Sequence, residues 1–164
     1  MKERDWEGGV RVERAVLFFE PDTVLTGGVR PLALESVQGR PVLYWMARAL
    51  SEGGVTELFV AAPPRFDAEI RACMPPNVAA TVSGRNDALL DFLDTPEAVA
   101  VFPRAALPFP QIGAGFAYAA PGLTLRQTWA ARLTNAVQDA SLLAGWVPLY
   151  GPDTLRELQP IFRP

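Results

Sequence analysis

The sequence contains no histidine and only one cysteine, Cys73. Without histidine there is no usual general base, no Ser-His or Cys-His nucleophile pair, and no metal site built on imidazole. A single cysteine excludes an intramolecular disulfide framework and any cysteine-rich zinc site. Because Cys73 stands beside Met74 near the end of a predicted helix, we expect it to be a small buried apolar residue.

The sequence also lacks an excess of positive charge and a long hydrophobic run. Its 15 basic and 18 acidic residues give a formal net charge of −3, which offers no cationic field to nucleic-acid phosphates. No stretch approaches the roughly 18 consecutive apolar residues of a membrane span. We therefore expect no nucleic-acid partner and no membrane partner, and we predict a cytoplasmic protein.

The composition is that of one folded domain. The chain has 164 residues, of which 49% are hydrophobic and 20% charged, and a chain of this size buries about 68–70% of its unfolded surface. Eight of the first fourteen residues are charged, so residues 1–14 are predicted to be a charged tail. Residues 15–164 are predicted to form a single domain.

Short apolar runs alternate with helical patterns along the first hundred residues. The predicted strands are Ala15–Phe19, Val55–Ala62, Val78–Val82 and Ala98–Phe102. The predicted helices are Val42–Leu50 between Pro41 and Gly53, Phe66–Met74, and Asp87–Leu93 with Asn86 as its N-cap. This alternation predicts an α/β fold with three layers, in which a mostly parallel sheet lies between helices. A binding site should then lie beyond the carboxyl ends of the strands.

The alternation stops after Phe102. Between Ala98 and Leu125 only Arg104 is charged, and residues 103–123 are predicted to be an irregular apolar segment because prolines and glycines interrupt it. Residues 98–125 should either pack across the sheet or form a homo-oligomer interface. Further along we predict a helix from Thr124 to Gly145, a strand at Val147–Tyr150, and helical turns from Pro152.

Several motifs together resemble one enzyme family. Val29–Val42, which includes Gly39-Arg40-Pro41-Val42, resembles the signature "LPKVLHPVAGKPM" of sugar-phosphate nucleotidyltransferases. It is most similar to the signature in the uridyltransferase domain of the bifunctional bacterial enzyme that makes UDP-N-acetylglucosamine. Ala15-Val16-Leu17 and Gly53-Gly54-Val55 match the flanking strand and turn, and Gly84–Ala88 is similar to the family's base-contacting "GTGHA" turn. The resemblance covers about residues 15–110 and implies a shortened, Rossmann-like domain of the nucleotide-diphospho-sugar transferase type.

The resemblance implies a reaction whose charged groups are missing. In that family a sugar-1-phosphate attacks the α-phosphorus of a nucleoside triphosphate, with cationic side chains and carboxylate-bound Mg²⁺ neutralising charge. The positions of the loop arginine, the lysine and the metal-binding aspartate fall on Leu25, Leu32 and Ala105 (or Ala106). Pro21 occupies a glycine position of the phosphate loop, and proline has no N–H to offer a phosphate. The resemblance therefore predicts no catalytic residue.

Seven positions remain as candidates for weak nucleotide binding. They are Gly84, Arg85, Asn86, Asp87, Ala88, Arg30 and Arg40. An ordinary helix-capping turn explains Gly84–Ala88 at least as well as a base pocket does. A metal cluster of Glu20, Asp22, Asp91 and Asp94 is the less favoured interpretation, since acidic residues on loops and helix surfaces are usually solvated. We expect no cofactor, and Mg²⁺ only if the chain is an active enzyme.

Three hypotheses about function follow. The first is a degenerate, inactive nucleotidyltransferase-like protein with a binding or assembly role. The second is an active enzyme that makes a nucleotide-sugar with displaced residues such as Arg30, Arg40 and Asp87. The third is a module that senses a nucleotide or nucleotide-sugar through Gly84–Ala88 without turnover. All three keep the same fold and differ in what happens at the carboxyl edge of the sheet.

Overall fold

A computed structural model of the chain describes residues 13–19, 31–95, 99–102, 104–109, 146–149 and 151–163. The strands in these ranges are β1 (Arg14–Phe18), β2 (Ser36–Val37), β3 (Arg40–Pro41), β4 (Glu57–Ala61), β5 (Ala79–Ser83), β6 (Val99–Phe102), β7 (Ala106–Pro108) and β8 (Trp146–Pro148). The α-helices are α1 (Val42–Glu52), α2 (Asp67–Arg71), α3 (Asn86–Leu93) and α4 (Pro152–Leu158).

Four of the strands form a parallel sheet in the order β5-β4-β1-β6. Val16 of β1 is in register with Phe59 of β4 on one side and with Val101 of β6 on the other. The two central strands are apolar throughout their buried length, as expected for strands covered on both faces. The predicted α/β class with a mostly parallel sheet is confirmed.

Helices cover both faces of this sheet. Leu17, Leu58 and Ala100 point to the face where α1 and Ile70 of α2 complete the larger apolar core. Val16, Phe59 and Val101 point to the opposite face, where α3 packs with Leu89 and Leu93. Alternate residues of each strand therefore enter different cores, and the three-layer arrangement predicted from the sequence is present.

Helix α1 forms where the sequence predicts a helix. Pro41 precedes its first turn, where a missing N–H costs nothing. Gly53 ends it by donating its N–H to the carbonyls of Ala49 and Leu50 at 3.0 and 3.1 Å. Trp45 faces the core and satisfies its indole N–H on the carbonyl of Val37 at 2.8 Å. This bond ties α1 to the β2–β3 hairpin ahead of it.

Two helices differ from their predicted bounds. The predicted helix Phe66–Met74 is a 3₁₀ turn at Pro64–Phe66 followed by the short α2, which ends at Arg71. Pro75 disfavours helical backbone at Met74, the predicted last residue. The N-cap of α3 is Arg85, and Asn86 is already helical, so the prediction of Asn86 as the cap is wrong. Arg85 has extended backbone angles, and its own N–H is held by the Ser83 hydroxyl at 3.1 Å.

The described part of the second half packs on the larger core. β7 pairs antiparallel with β8, and Leu149 donates its N–H to the carbonyl of Ala105 at 2.9 Å. The predicted strand Val147–Tyr150 is found at Trp146–Pro148, and the helical turns from Pro152 are α4. Phe162, after α4, places its ring 5.5 Å from that of Trp45.

Residues 99–102 and 104–109 of the apolar segment 98–125 are among the described residues. Its described residues 99–102 and 105–109 are buried within the chain itself, which favours packing across the sheet over an interface for these residues. Phe102 and Trp146 are buried in the larger core, where their rings meet edge to face with centroids 4.9 Å apart. The predicted helix Thr124–Gly145 lies outside the described residues, as do residues 1–12 of the predicted tail.

Cys73 is buried, as predicted, with 4% of its surface exposed. Its Sγ lies 3.4 Å from the Glu69 carbonyl, and burial raises the pKa of the thiol to about 11. Among the described residues no helix has the length and apolar character needed to cross a membrane.

Candidate functional site

The carboxyl ends of the four parallel strands meet at one edge of the sheet. The segments that leave this edge begin at Phe19, Ala62, Gly84 and Arg104, after β1, β4, β5 and β6 respectively. Adjacent strands lie about 4.8 Å apart, so the ends of β5 and β6, three strands apart, are separated by about 14 Å. The edge therefore has two ends, and the candidate residues divide between them.

The turn after β5 contains the five candidates Gly84 to Ala88. Here the Ser83 hydroxyl accepts a hydrogen bond from the Arg85 N–H at 3.1 Å, and the Asp87 carboxylate accepts one from the Ala88 N–H at 2.8 Å. Gly84, Arg85, Asn86 and Asp87 are all exposed. The structure thus brings these predicted residues together in one ordered, solvent-facing turn at the start of α3.

Arg85 and Asp87 form an ion pair within this turn. The guanidinium Nε donates to Asp87 Oδ1 at 3.0 Å, and a terminal nitrogen donates to Oδ2 at 2.5 Å. This hydrogen-bonded pairing lowers the pKa of the Asp87 carboxyl and raises the pKa of the Arg85 guanidinium. The positive charge of Arg85 is therefore compensated locally, which weakens its attraction for a phosphate.

The backbone conformation at residue 84 does not require a glycine. Gly84 has no positive φ, and a Cβ built on it would meet the carbonyl oxygen of Ala62 at 3.4 Å, an ordinary van der Waals distance. Gly39, in the β2–β3 turn, has a φ of +79° that side chains rarely adopt. Both glycines lie in segments that resemble the family. The backbone conformation requires a glycine at residue 39 but not at residue 84.

Two further positions that the resemblance selects, Leu32 and Ala105, are buried. Leu32 lies in a short 3₁₀ helix, Leu32–Leu34, and is 1% exposed; Ala105 follows β6 and is 5% exposed. Both belong to the larger core. The two described positions to which the resemblance assigns a lysine and a metal-binding aspartate are therefore packing positions.

The remaining candidates do not join either group. Arg40 is exposed on β3, and its guanidinium carbon lies 4.6 Å from the centroid of the Tyr44 ring, a cation–π contact. Arg30 and Leu25 lie outside the described residues, as do Glu20, Pro21 and Asp22.

Arg104 is a charged residue of this edge that the resemblance did not select. One of its terminal nitrogens donates to the carbonyl of Leu149 at 3.4 Å, which links the turn after β6 to the strand β8 region. The available signal in the sequence was its isolation, since it is the one charged residue between Ala98 and Leu125.

The described residues do not fit the Mg²⁺ that the resembled family uses. Mg²⁺ is held by carboxylate oxygens together with substrate phosphates, whereas Ala105 and its neighbour Ala106 are buried methyl groups. No three histidine, cysteine or acidic side chains within the described ranges are grouped so that they could hold a metal ion. Asp91 and Asp94 lie at the far end of α3, away from the carboxyl edge.

Comparison with known proteins yields distant likenesses to solved structures and none to a family model or a curated protein. A solved structure described as UDP-glucose pyrophosphorylase from Acinetobacter baumanii is similar to the chain with a TM-score of 0.44 and 18% identity. The match covers 59% of this chain and 47% of that one. A likeness at this level does not place the chain in that enzyme's family.

Proposed function

We propose that the chain is a nucleotidyltransferase-like α/β domain that has no phosphoryl-transfer activity and acts by binding. The observation that carries this proposal is the burial of Leu32 and Ala105, which are 1% and 5% exposed. Catalysis of this transfer is almost entirely positioning and charge neutralisation. A site whose charged positions have become core lacks the means for it.

The active-enzyme alternative is less well supported. It relies on displaced charges such as Arg40 and Asp87, but Asp87 already holds Arg85 in a two-point ion pair. Arg40 lies on β3 and stacks on Tyr44 of α1, whereas Asp87 lies on α3. Two groups that must act on one phosphate need to converge on it, and these belong to separate elements.

The proposed ligand is a nucleotide or nucleotide-sugar, bound at Gly84–Ala88 without turnover. Support comes from the turn itself, which presents backbone and polar side chains to solvent and is held by hydrogen bonds that the N–H groups of Arg85 and Ala88 donate to Ser83 and Asp87. Gly84 leaves the backbone accessible for a planar base, although the chain's own conformation does not require a glycine there. A preordered turn pays little conformational entropy on binding.

A thermal-shift panel of nucleoside triphosphates, diphosphates and UDP-sugars, each with and without Mg²⁺, tests this proposal. Binding without turnover predicts a rise in melting temperature with a uridine or other nucleotide, equal in both conditions. The matched control is Gly84→Val, which places a branched side chain in the approach to the turn and should abolish the shift. No shift with any ligand contradicts a binding role at this turn.

A second version of the proposal is homo-oligomeric assembly through residues 98–125. Its support is the lack of charge in that segment apart from Arg104, although residues 99–102 and 105–109 are themselves buried in the chain. Light scattering after size-exclusion chromatography separates the two versions. A strict monomer at high concentration removes assembly and leaves ligand binding.

A further inference from the structure

The segment that leaves β4 lies directly beside the Gly84–Ala88 turn. Ala62, the first residue after β4, donates its N–H to the carbonyl of Ser83 at 3.1 Å. The carbonyl oxygen of Ala62 is also the atom that a Cβ on Gly84 would meet at 3.4 Å. Because β4 and β5 are paired parallel strands that end at the same edge, a ligand held at the turn has the residues after Ala62 as its neighbours.

The residues after Ala62 form a short, restrained turn that carries one positive charge. Pro63 and Pro64 fix two successive φ angles. Phe66 donates its N–H to the carbonyl of Pro63 at 3.1 Å, which closes the 3₁₀ helix Pro64–Phe66. Arg65 is exposed in the middle of this helix. The backbone that carries Arg65 is therefore ordered before any ligand binds.

The guanidinium of Arg65 contacts an aromatic ring and forms no ion pair with any carboxylate of the described residues. Its central carbon lies 4.7 Å from the centroid of the Phe66 ring, a cation–π contact. Phe66 is buried and packs against Phe19, the residue after β1, with ring centroids 6.0 Å apart. Asp67, the acidic residue nearest to Arg65 in sequence, instead accepts hydrogen bonds from Nε of Arg71 at 3.0 Å. Phe66 thus orients the Arg65 side chain without neutralising its charge.

We propose that Arg65 binds the phosphate groups of a nucleotide held at Gly84–Ala88. This inference rests on the proposed function and adds to it the residue that supplies positive charge. Arg65 and Arg85 are the two cationic residues of the segments 62–66 and 84–88. Arg85 is the less suited of the two, because Asp87 already accepts from its Nε and from a terminal nitrogen.

The chemistry of the guanidinium suits a phosphate. Its planar fork donates two parallel hydrogen bonds to phosphate oxygens, and such charge-assisted bonds are about twice as strong as neutral ones. The ordered 3₁₀ helix and the ring of Phe66 reduce the side-chain entropy that Arg65 loses on binding. Arg65 is therefore expected to distinguish a nucleotide from the nucleoside that lacks phosphate.

Isothermal titration calorimetry of the full chain with UDP and with uridine tests this proposal. The wild type should bind UDP more tightly than uridine. Arg65→Ala should weaken UDP binding by about tenfold or more, the loss expected for a hydrogen bond to a charged group, and should leave uridine binding unchanged. Arg65→Lys, which keeps the charge without the planar fork, should lose less.

A matched control removes a positive charge elsewhere. Arg48→Ala, on α1 beside Glu52, should bind both ligands as the wild type does. Salt should weaken the binding of UDP to the wild type more than that of uridine, because salt screens the contact between guanidinium and phosphate. The circular dichroism of Arg65→Ala should match that of the wild type, since Arg65 is exposed.

The outcomes separate this inference from the proposed function. If Arg65→Ala binds UDP as tightly as the wild type while Gly84→Val abolishes binding, the role of Arg65 is overturned and the proposed function stands. If Arg65→Ala loses uridine and UDP affinity equally, the role is also overturned, because the residue then acts on the nucleoside or on the fold. Absence of UDP binding by the wild type overturns both.

Discussion

The two ends of the sheet's carboxyl edge differ in what they expose. Beyond β5 the turn Gly84–Ala88 is polar, solvent-facing and electrostatically compensated by the Arg85–Asp87 pair. Ala105, which follows β6 at the other end of the edge, is buried in the larger core, as is Leu32. The difference teaches that one sheet edge can combine an exposed, ordered turn with positions that serve only packing.

The burial of Leu32 and Ala105 bears on catalysis because charged groups supply most of the rate in phosphoryl transfer. Loss of one preorganised charge stabiliser typically costs about 10²–10³ in rate, and an arginine at a phosphoryl group is worth about 10³–10⁵. Restoring a charge at a buried position meets the opposite difficulty, because an unpaired buried charge is strongly disfavoured. Under the proposed function, single substitutions that place a charge at Leu32 or Ala105 should therefore not confer catalysis.

The largest expected effect is at the apolar end. Leu32→Lys replaces a side chain that is 1% exposed with an unpaired cation, and should lower the free energy of unfolding by about 3 kcal/mol or more, or prevent folding. Urea unfolding followed by circular dichroism measures this. Leu32→Met, which conserves volume, should cost less than about 1.5 kcal/mol. A lysine variant as stable as the wild type would show that Leu32 is not a packing position.

Ala105→Asp should have a smaller effect of the same kind, about 2 kcal/mol, since Ala105 is 5% exposed and a carboxylate there would be taken out of water. Burial should raise the folded-state pKa of the new carboxyl above its unfolded value near 3.9. The loss of stability should therefore grow as pH rises above about 4 and shrink below it. Unfolding at pH 3.5 and pH 7 checks this, with Ala105→Ser as the control. A loss independent of pH contradicts burial of the charge.

An effect of intermediate size on stability is expected when Gly39 and Gly84 are each replaced by alanine. Gly39→Ala should destabilise by about 1 kcal/mol, because residue 39 has a φ of +79°. Gly84→Ala should stay within about 0.5 kcal/mol of the wild type, since its Cβ would make only an ordinary contact at 3.4 Å. Thermal denaturation of the two variants side by side measures the difference. Equal losses would mean that Gly84 is also required by the fold.

The smallest expected effect concerns the Arg85–Asp87 pair. Arg85→Ala should let the pKa of Asp87 rise toward its ordinary value, because the guanidinium hydrogen bonds that lower it are lost. NMR titration of the side-chain carboxyl carbon reports this directly. Stability should barely change, because both side chains are well exposed and exposed ion pairs contribute little. Arg48→Ala, on α1 beside Glu52, should leave the titration of Asp87 unchanged.

The sheet and α1 could be predicted because their signals are local. The apolar run Ala15–Phe19 and the helical spacing between Pro41 and Gly53 each lie within one element. The pairing of β7 with β8 could not, since it joins Leu107 to Val147 across a long stretch of chain. No pattern in either short strand identifies its partner.

The candidate site was predicted unevenly for a similar reason. The sequence placed Gly84–Ala88 in a turn after a strand, but neither the Arg85–Asp87 pair nor the capping role of Arg85 follows from residue type alone. Leu32 and Ala105 were selected as substituted positions, whereas their burial depends on packing of α1, β7 and β8. Which side chains share a core is a property of the tertiary structure.

Phosphorus NMR of the chain with UTP, N-acetylglucosamine-1-phosphate and Mg²⁺ tests the central claim most directly, because substrate and both products are observed in one spectrum. The account predicts that no pyrophosphate and no nucleotide-sugar resonances appear above the no-protein control, even at high protein concentration. Pyrophosphate and a nucleotide-sugar accumulating together in equal amounts, with dependence on Mg²⁺, would contradict it.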